Sequence, residues 1–219
     1  SVHTPRLAGH GIVPEELKEK KWEDWYKSVS RAIVIASLQY KKIYIVGFST
    51  GGLLALLSTK KYYKEFVGLV CINAALHLND LRIKTLVPAI SFWNDIVKVF
   101  GENDYTKEYV DNFPENPEIN YNKHYIDAIE QLSLLMKRTR KSLHKIRKPI
   151  LIIQGKDDPI VNPSSAHEIY ENIETDENIL VQGIIDLYYI SEDNKLILID
   201  YKTDYVKKPE ELINKYKTQ

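Results

Sequence analysis

From Trp22 to Leu38, apolar side chains return at helical spacing, with Trp22, Trp25, Tyr26, Val29, Ile33 and Ala36 on one stripe. This predicts an amphipathic helix. KKIYIVGF (41–48) is a short β-branched run bounded by Gly47 and predicts a buried strand. STGGLLALLSTKKY (49–62) is apolar on most sides, as expected of a helix lying against a sheet, and FVGLVCIN (66–73) predicts the next strand. Residues 80–145 change character. Their patterns are helical with aromatic and basic residues mixed, broken by Pro114 and Pro117, and they predict a helical insertion between strands. KPILIIQG (148–155) resumes the strands, and NPSSAHEIYENI (162–173) opens a helix at Asn-Pro. Helix and strand thus alternate over 20–175, which implies an α/β fold with a parallel sheet and helices on its faces.

The tail reads differently. ILVQGIIDLYYI (179–190) and KLILIDYKT (195–203) are two apolar runs joined by SEDN, a good hairpin connection. PEELINKYK (209–217) then predicts a helix, with Pro209 at its start and Glu210 and Glu211 in its first turn. The expected organisation is one unit over 1–175, with an insertion at about 80–145, and a second over 178–219.

Composition narrows the chemistry. Thirty basic and thirty acidic residues cancel, so no overall field draws the chain to nucleic acid or membrane. Hydrophobic content of 44% is enough for a substantial core. Cys71 is the sole cysteine, so no internal disulfide forms, and no Cys/His cluster has zinc spacing. A reducing, cytoplasmic setting is the expectation. No run reaches the roughly 18 apolar residues of a membrane span. The loop-like opening, SVHTPRLAGHG without an initiator Met, reads as the interior of a longer chain.

G-F-S-T-G at 47–51 follows a predicted strand and precedes a predicted helix. In that context G-x-S-x-G describes a sharp turn carrying a nucleophile. Gly47 and Gly51 give the backbone room, Ser49 exposes its hydroxyl, and the Thr50 N–H points to where an oxyanion develops. PRLAGHG with W-x-D-W (Trp22, Asp24, Trp25), the elbow, and G-x-x-D-x-x-V (Gly155, Asp158, Val161) together resemble the bacterial carboxylesterase and monoacylglycerol lipase branch of the α/β-hydrolases over about 1–174. The resemblance implies a truncated α/β-hydrolase sheet with a helical cap at 80–145. It implies Ser49 as nucleophile and Asp158 as the acid, with Asp157 the second choice. Small acyl esters are the implied substrates, and no cofactor is needed.

In that family the base is a histidine beyond the acid, and a second oxyanion donor comes from an early loop. Here His3, His10, His77, His124 and His144 precede Asp158, and His167 follows it too closely. The expectation is an impaired esterase. VQGIIDLYY…KLILIDYKTDYV…EELINKYKTQ instead resembles the RecB-type nuclease domain of the AddA helicase-nuclease over about 178–219. That resemblance implies Asp186 and Asp200 as ligands to Mg²⁺, Lys202 as their catalytic neighbour, and Tyr216 and Gln219 as a helix element. About forty residues do not build that fold alone. Three readings follow: a serine esterase, a Mg²⁺-dependent nuclease module, and a non-catalytic remnant whose hydrolase scaffold serves interaction.

Overall fold

The computed structural model describes residues 1–11, 13–79, 89–95, 97, 106–112 and 121–174 in full, and the strands at 179–182, 187–190 and 196–199 as backbone. The chain divides into two compact units, Ser1–Gly183 and Ile184–Gln219.

The first unit is built on a four-stranded parallel sheet, in the order β1-β2-β5-β6. Its strands are β1 (Tyr44–Phe48), β2 (Gly68–Ile72), β5 (Ile150–Gln154) and β6 (Ile179–Gln182). Helix α1 (Trp22–Gln39) starts where its sequence says it should. The Asp24 carboxylate accepts the Lys21 backbone N–H at 3.1 Å, closing the first turn, and Trp25 is buried. The W-x-D-W motif is therefore a cap and a core anchor. Helix α2 (Thr50–Ser58) is buried from Gly52 to Ser58, because it lies between the sheet and the other helices. Leu53, Leu54 and Leu56 join Trp25, Phe66, Cys71, Ile152 and Ile169 in one core. Helix α4 (Ser164–Asn172) follows β5, and Asn162 caps its start by accepting the Ser164 N–H at 2.9 Å.

Three expectations are corrected. The strand at 41–48 is buried on one face only. Ile45 and Gly47 turn inward, whereas Tyr44, Val46 and Phe48 stay more than 60% exposed. β1 is the edge of the described sheet, and among the described residues nothing covers its second face. Next, the insertion is not wholly helical. It contains a helical stretch at 89–95, then an antiparallel pair, β3 (Tyr109–Asp111) with β4 (Lys123–Tyr125), and then α3 (Ile126–Arg140). Three-residue strands are too short to declare a period of two. Pro114 and Pro117 lie outside the described residues.

The third correction concerns the tail. The apolar run 179–190 was expected to form one hairpin arm. Its first four residues instead pair with β5 as a parallel strand, from Leu151↔Ile179 to Gln154↔Gln182. An open sheet edge recruits a β-branched segment within reach. In the second unit β7 (Leu187–Ile190) pairs antiparallel with β8 (Leu196–Ile199), as the hairpin reading expects. The helix expected at 209–217 lies outside the described residues.

One polar cluster ties the first unit's helices to the β2 end. Glu168 on α4 pairs with the His77 ring and accepts from Arg140 Nε of α3 at 2.5 Å, and Arg140 also donates to the Leu76 carbonyl at 3.1 Å. Burial pushes the Glu168 carboxyl up, but the His77 and Arg140 hydrogen bonds and charges outweigh it and hold the group below its ordinary 4.5. A depressed folded value gives stability that is complete above the unfolded value and lost as pH falls through the folded one. Glu168→Gln is therefore expected to melt below wild type at neutral pH, with the gap closing below about pH 4. A gap that stays constant in thermal melts from pH 7 to pH 3 would contradict this assignment.

Candidate active site

β1 ends at Ser49, which sits between Phe48 of the strand and Thr50 of the helix with φ 52° and ψ −118°. That conformation is one L-residues rarely adopt, and it costs on the order of 1–3 kcal/mol. The surroundings enforce it. Ser49 N–H donates to the Ile72 carbonyl at 2.9 Å, and the Ser49 carbonyl accepts from Gly52 at 3.0 Å and Ala75 at 3.2 Å. The turn is stitched to the end of β2 on one side and to the start of α2 on the other.

Glycine roles differ from the motif's symmetry. A Cβ on Gly47 would lie 2.4 Å from the Gly51 carbonyl oxygen, so only glycine fits there. Gly51 has nothing within 4 Å of such a Cβ. The second tight position is Gly52, where a Cβ would come within 2.7 Å of the Ala74 Cβ. Thr50 is the first residue of α2, so its N–H has no intrahelical acceptor and points out of the helix start. Ser49 is half-buried, and its hydroxyl makes no hydrogen bond among the described residues.

Asp158 follows β5, so it stands at the same sheet end as Ser49, with β2 between the two strands. Its Oδ1 accepts the N–H groups of Ile160 at 2.8 Å and Val161 at 2.7 Å, and its Oδ2 accepts from Asn73 Nδ2 at 2.6 Å. Asp157 is exposed. Asn73 escaped the sequence reading. It terminates β2 with φ 43°, and an Asn directly after a buried strand was the available signal.

The histidines are placed as follows. His10 meets Trp25 edge-on, with ring centroids 5.5 Å apart, and its Nδ1 lies 3.3 Å from the Ala8 carbonyl. Burial lowers its pKa, against the backbone contact to Ala8, which raises it. His77 is engaged by Glu168 and Arg140. His124 lies on β4, His144 in the turn Leu143–Lys145, His167 on α4, and His3 in the exposed opening. None of the six hydrogen-bonds the Ser49 hydroxyl. Cys71 offers no alternative nucleophile, since burial pushes its thiol up to about 12.

Asp186, Asp200 and Lys202 lie outside the described residues, as do Tyr216 and Gln219. Among the described residues no cluster of His, Cys, Asp and Glu could hold a metal ion.

A strained serine between a parallel strand and a buried helix, with an aspartate after the next strand but one, is the arrangement of one hydrolase family. Residues 2–182 match that family, described as serine aminopeptidase, S33. The chain belongs to the serine aminopeptidase S33 family. It is 26% identical over 208 residues to a carboxylesterase of Bacillus subtilis (strain 168), covering 94% of this chain and 77% of that one. It is 28% identical over 188 residues to a thermostable monoacylglycerol lipase of Bacillus sp. (strain H-257), covering 83% and 69%. Among solved structures, one reported with the metagenome-derived lipolytic enzymes LipS and LipT superposes with a TM-score of 0.69 at 24% identity, over 83% of this chain and 71% of that one. The α/β-hydrolase likeness is thereby confirmed. A separate stretch of 52 residues is 50% identical to an ATP-dependent helicase/nuclease protein of Clostridium botulinum (strain 657 / Type Ba4). It covers 24% of this chain and 4% of that protein, which supports the two-part reading of ancestry. No helix among the described residues is long and apolar enough to cross a membrane.

Proposed function

We propose that this S33-family chain is a serine hydrolase of the carboxylesterase and lipase type, acting on small acyl esters. The single observation that carries the reading is the backbone of Ser49, held at φ 52° between β1 and α2. In the proposed reaction Ser49 Oγ attacks the ester carbonyl carbon. The oxygen that gains charge faces the Thr50 N–H, and the carbonyl re-forms as the alkoxide leaves with a proton. Water then attacks the acyl-serine and returns the hydroxyl. Asp158 is the acid that orients the base.

The base limits the rate. The six imidazoles are placed away from hydrogen bonding with Ser49, so the serine proton passes to water in the slow case. Loss of the base alone lowers turnover by about a million-fold in a complete triad, so turnover by this chain is expected to be slow. The defining test is covalent. A fluorophosphonate probe is expected to add its mass to the peptide carrying Ser49, and p-nitrophenyl acetate is expected to release p-nitrophenol above the Ser49→Ala background. Labelling elsewhere, or equal release by both proteins, would reject the reading.

The helicase/nuclease likeness favours a second reading for residues 178–219 alone, a Mg²⁺-dependent nuclease element using Asp186, Asp200 and Lys202. DNA digestion that requires Mg²⁺ and disappears in Asp200→Ala would establish it. The overall charge balance weighs against nucleic acid as the main partner.

A further inference from the structure

We propose that Asn73 is a positioning residue for Asp158, fixing the acid's carboxylate across the strand that separates it from Ser49. The inference rests on the serine-hydrolase reading for its purpose, but not for its geometry. Asn73 sits at the end of β2, between the ends of β1 and β5. Its own N–H donates to the Ile153 carbonyl at 2.8 Å, so its backbone is fastened to β5. Its side chain reaches the same loop twice. Oδ1 accepts the Gly155 N–H at 2.8 Å, and Nδ2 donates to Asp158 Oδ2 at 2.6 Å.

Two demands meet at this position. A φ of 43° is left-handed, which Gly, Asn and Asp tolerate best. The side chain must also donate to a carboxylate and accept from a backbone N–H at once. Glycine has neither group, and an ionised aspartate only accepts. The amide alone meets both demands, and its two partners fix which end is oxygen and which is nitrogen.

The division of labour at Asp158 supports the role. Oδ1 is taken by two N–H groups of its own turn, which shape the loop. Asn73 is the partner of Oδ2 among the described residues, and it comes from a different strand, 85 residues away in sequence. This contact relates the acid to the sheet, and through Ile72, whose carbonyl accepts the Ser49 N–H, to the elbow.

The test compares full-length wild type with Asn73→Gly, which keeps the positive φ and deletes the amide, and with Asn73→Asp, which keeps the shape and the acceptor. Both are expected to lower the Ser49-dependent kcat for p-nitrophenyl acetate roughly ten- to a hundredfold, with KM changed less than about twofold. In carbon-detected NMR at neutral pH the Asp158 carboxylate resonance is expected to move in both variants. In wild type one Asn73 Nδ2 proton is expected downfield, and Asp158→Ala is expected to return it to the ordinary side-chain amide position. An unmoved Asp158 resonance in the folded Asn73→Gly protein would overturn the proposal, as would unchanged Ser49-dependent kcat. If wild type shows no Ser49-dependent turnover at all, the hydrolase reading fails, and the NMR arm still decides the positioning contact by itself.

Discussion

Ser49→Ala is expected to abolish fluorophosphonate labelling and to bring ester hydrolysis down to the uncatalysed background, while the protein stays folded. The hydroxyl makes no hydrogen bond among the described residues, so its removal orphans no partner. In a complete triad the loss of the nucleophile costs about a million-fold. With a weak base the available range is smaller, and the expected loss is the whole of the enzymatic rate. Ser49→Gly separates chemistry from backbone. It also loses the nucleophile, but it relieves a conformation that costs a serine about 1–3 kcal/mol. Against that stands about 0.4–1 kcal/mol of extra unfolded-state entropy. A net gain of roughly 1 kcal/mol in urea unfolding is expected for an inactive protein. A Ser49→Gly protein less stable than Ser49→Ala would mean that the elbow is not strained.

The second large effect falls on the glycine before the serine. Gly47→Ala is expected to lose about 3 kcal/mol or more, a large share of the 5–15 kcal/mol typical of a domain. Its new Cβ would meet the Gly51 oxygen at 2.4 Å, the Gly51 carbonyl carbon at 2.6 Å and the Gly52 Cα at 2.7 Å. All three are backbone atoms of the helix start, so no side chain can rotate away. Gly51→Ala is the control. It meets open space inside α2, where alanine is favoured over glycine by about 0.5–1 kcal/mol. Urea midpoints should therefore move in opposite directions for two substitutions in one motif. Equal losses at both positions would show that the turn is not built as described.

Much of this could be read before any coordinates. The spacing of Trp22 through Ala36 placed α1, and the β-branched runs placed β1, β2 and β5 within a residue or two. Local chemistry is enough where one face is apolar and the period is clear. The elbow was legible because a strand, a G-x-S-x-G turn and an apolar helix occur in succession. The β3–β4 pair was not legible, because KHY carries no pattern a three-residue strand can declare. The one-sided burial of β1 was not legible either, since YIVGF reads alike at a sheet's edge and at its centre.

The amino-acid order alone determined the alternating α/β plan, the nucleophile candidate and its acid, and the hairpin of the tail, because each depends on neighbours in the chain. Tertiary structure decided three other things: that Gly52 rather than Gly51 bears the second close approach, that residues 179–182 complete the sheet beside β5, and that Asn73 holds Asp158. Each of these depends on distances between segments tens of residues apart, and such distances exist only once the sheet has brought the strand ends together.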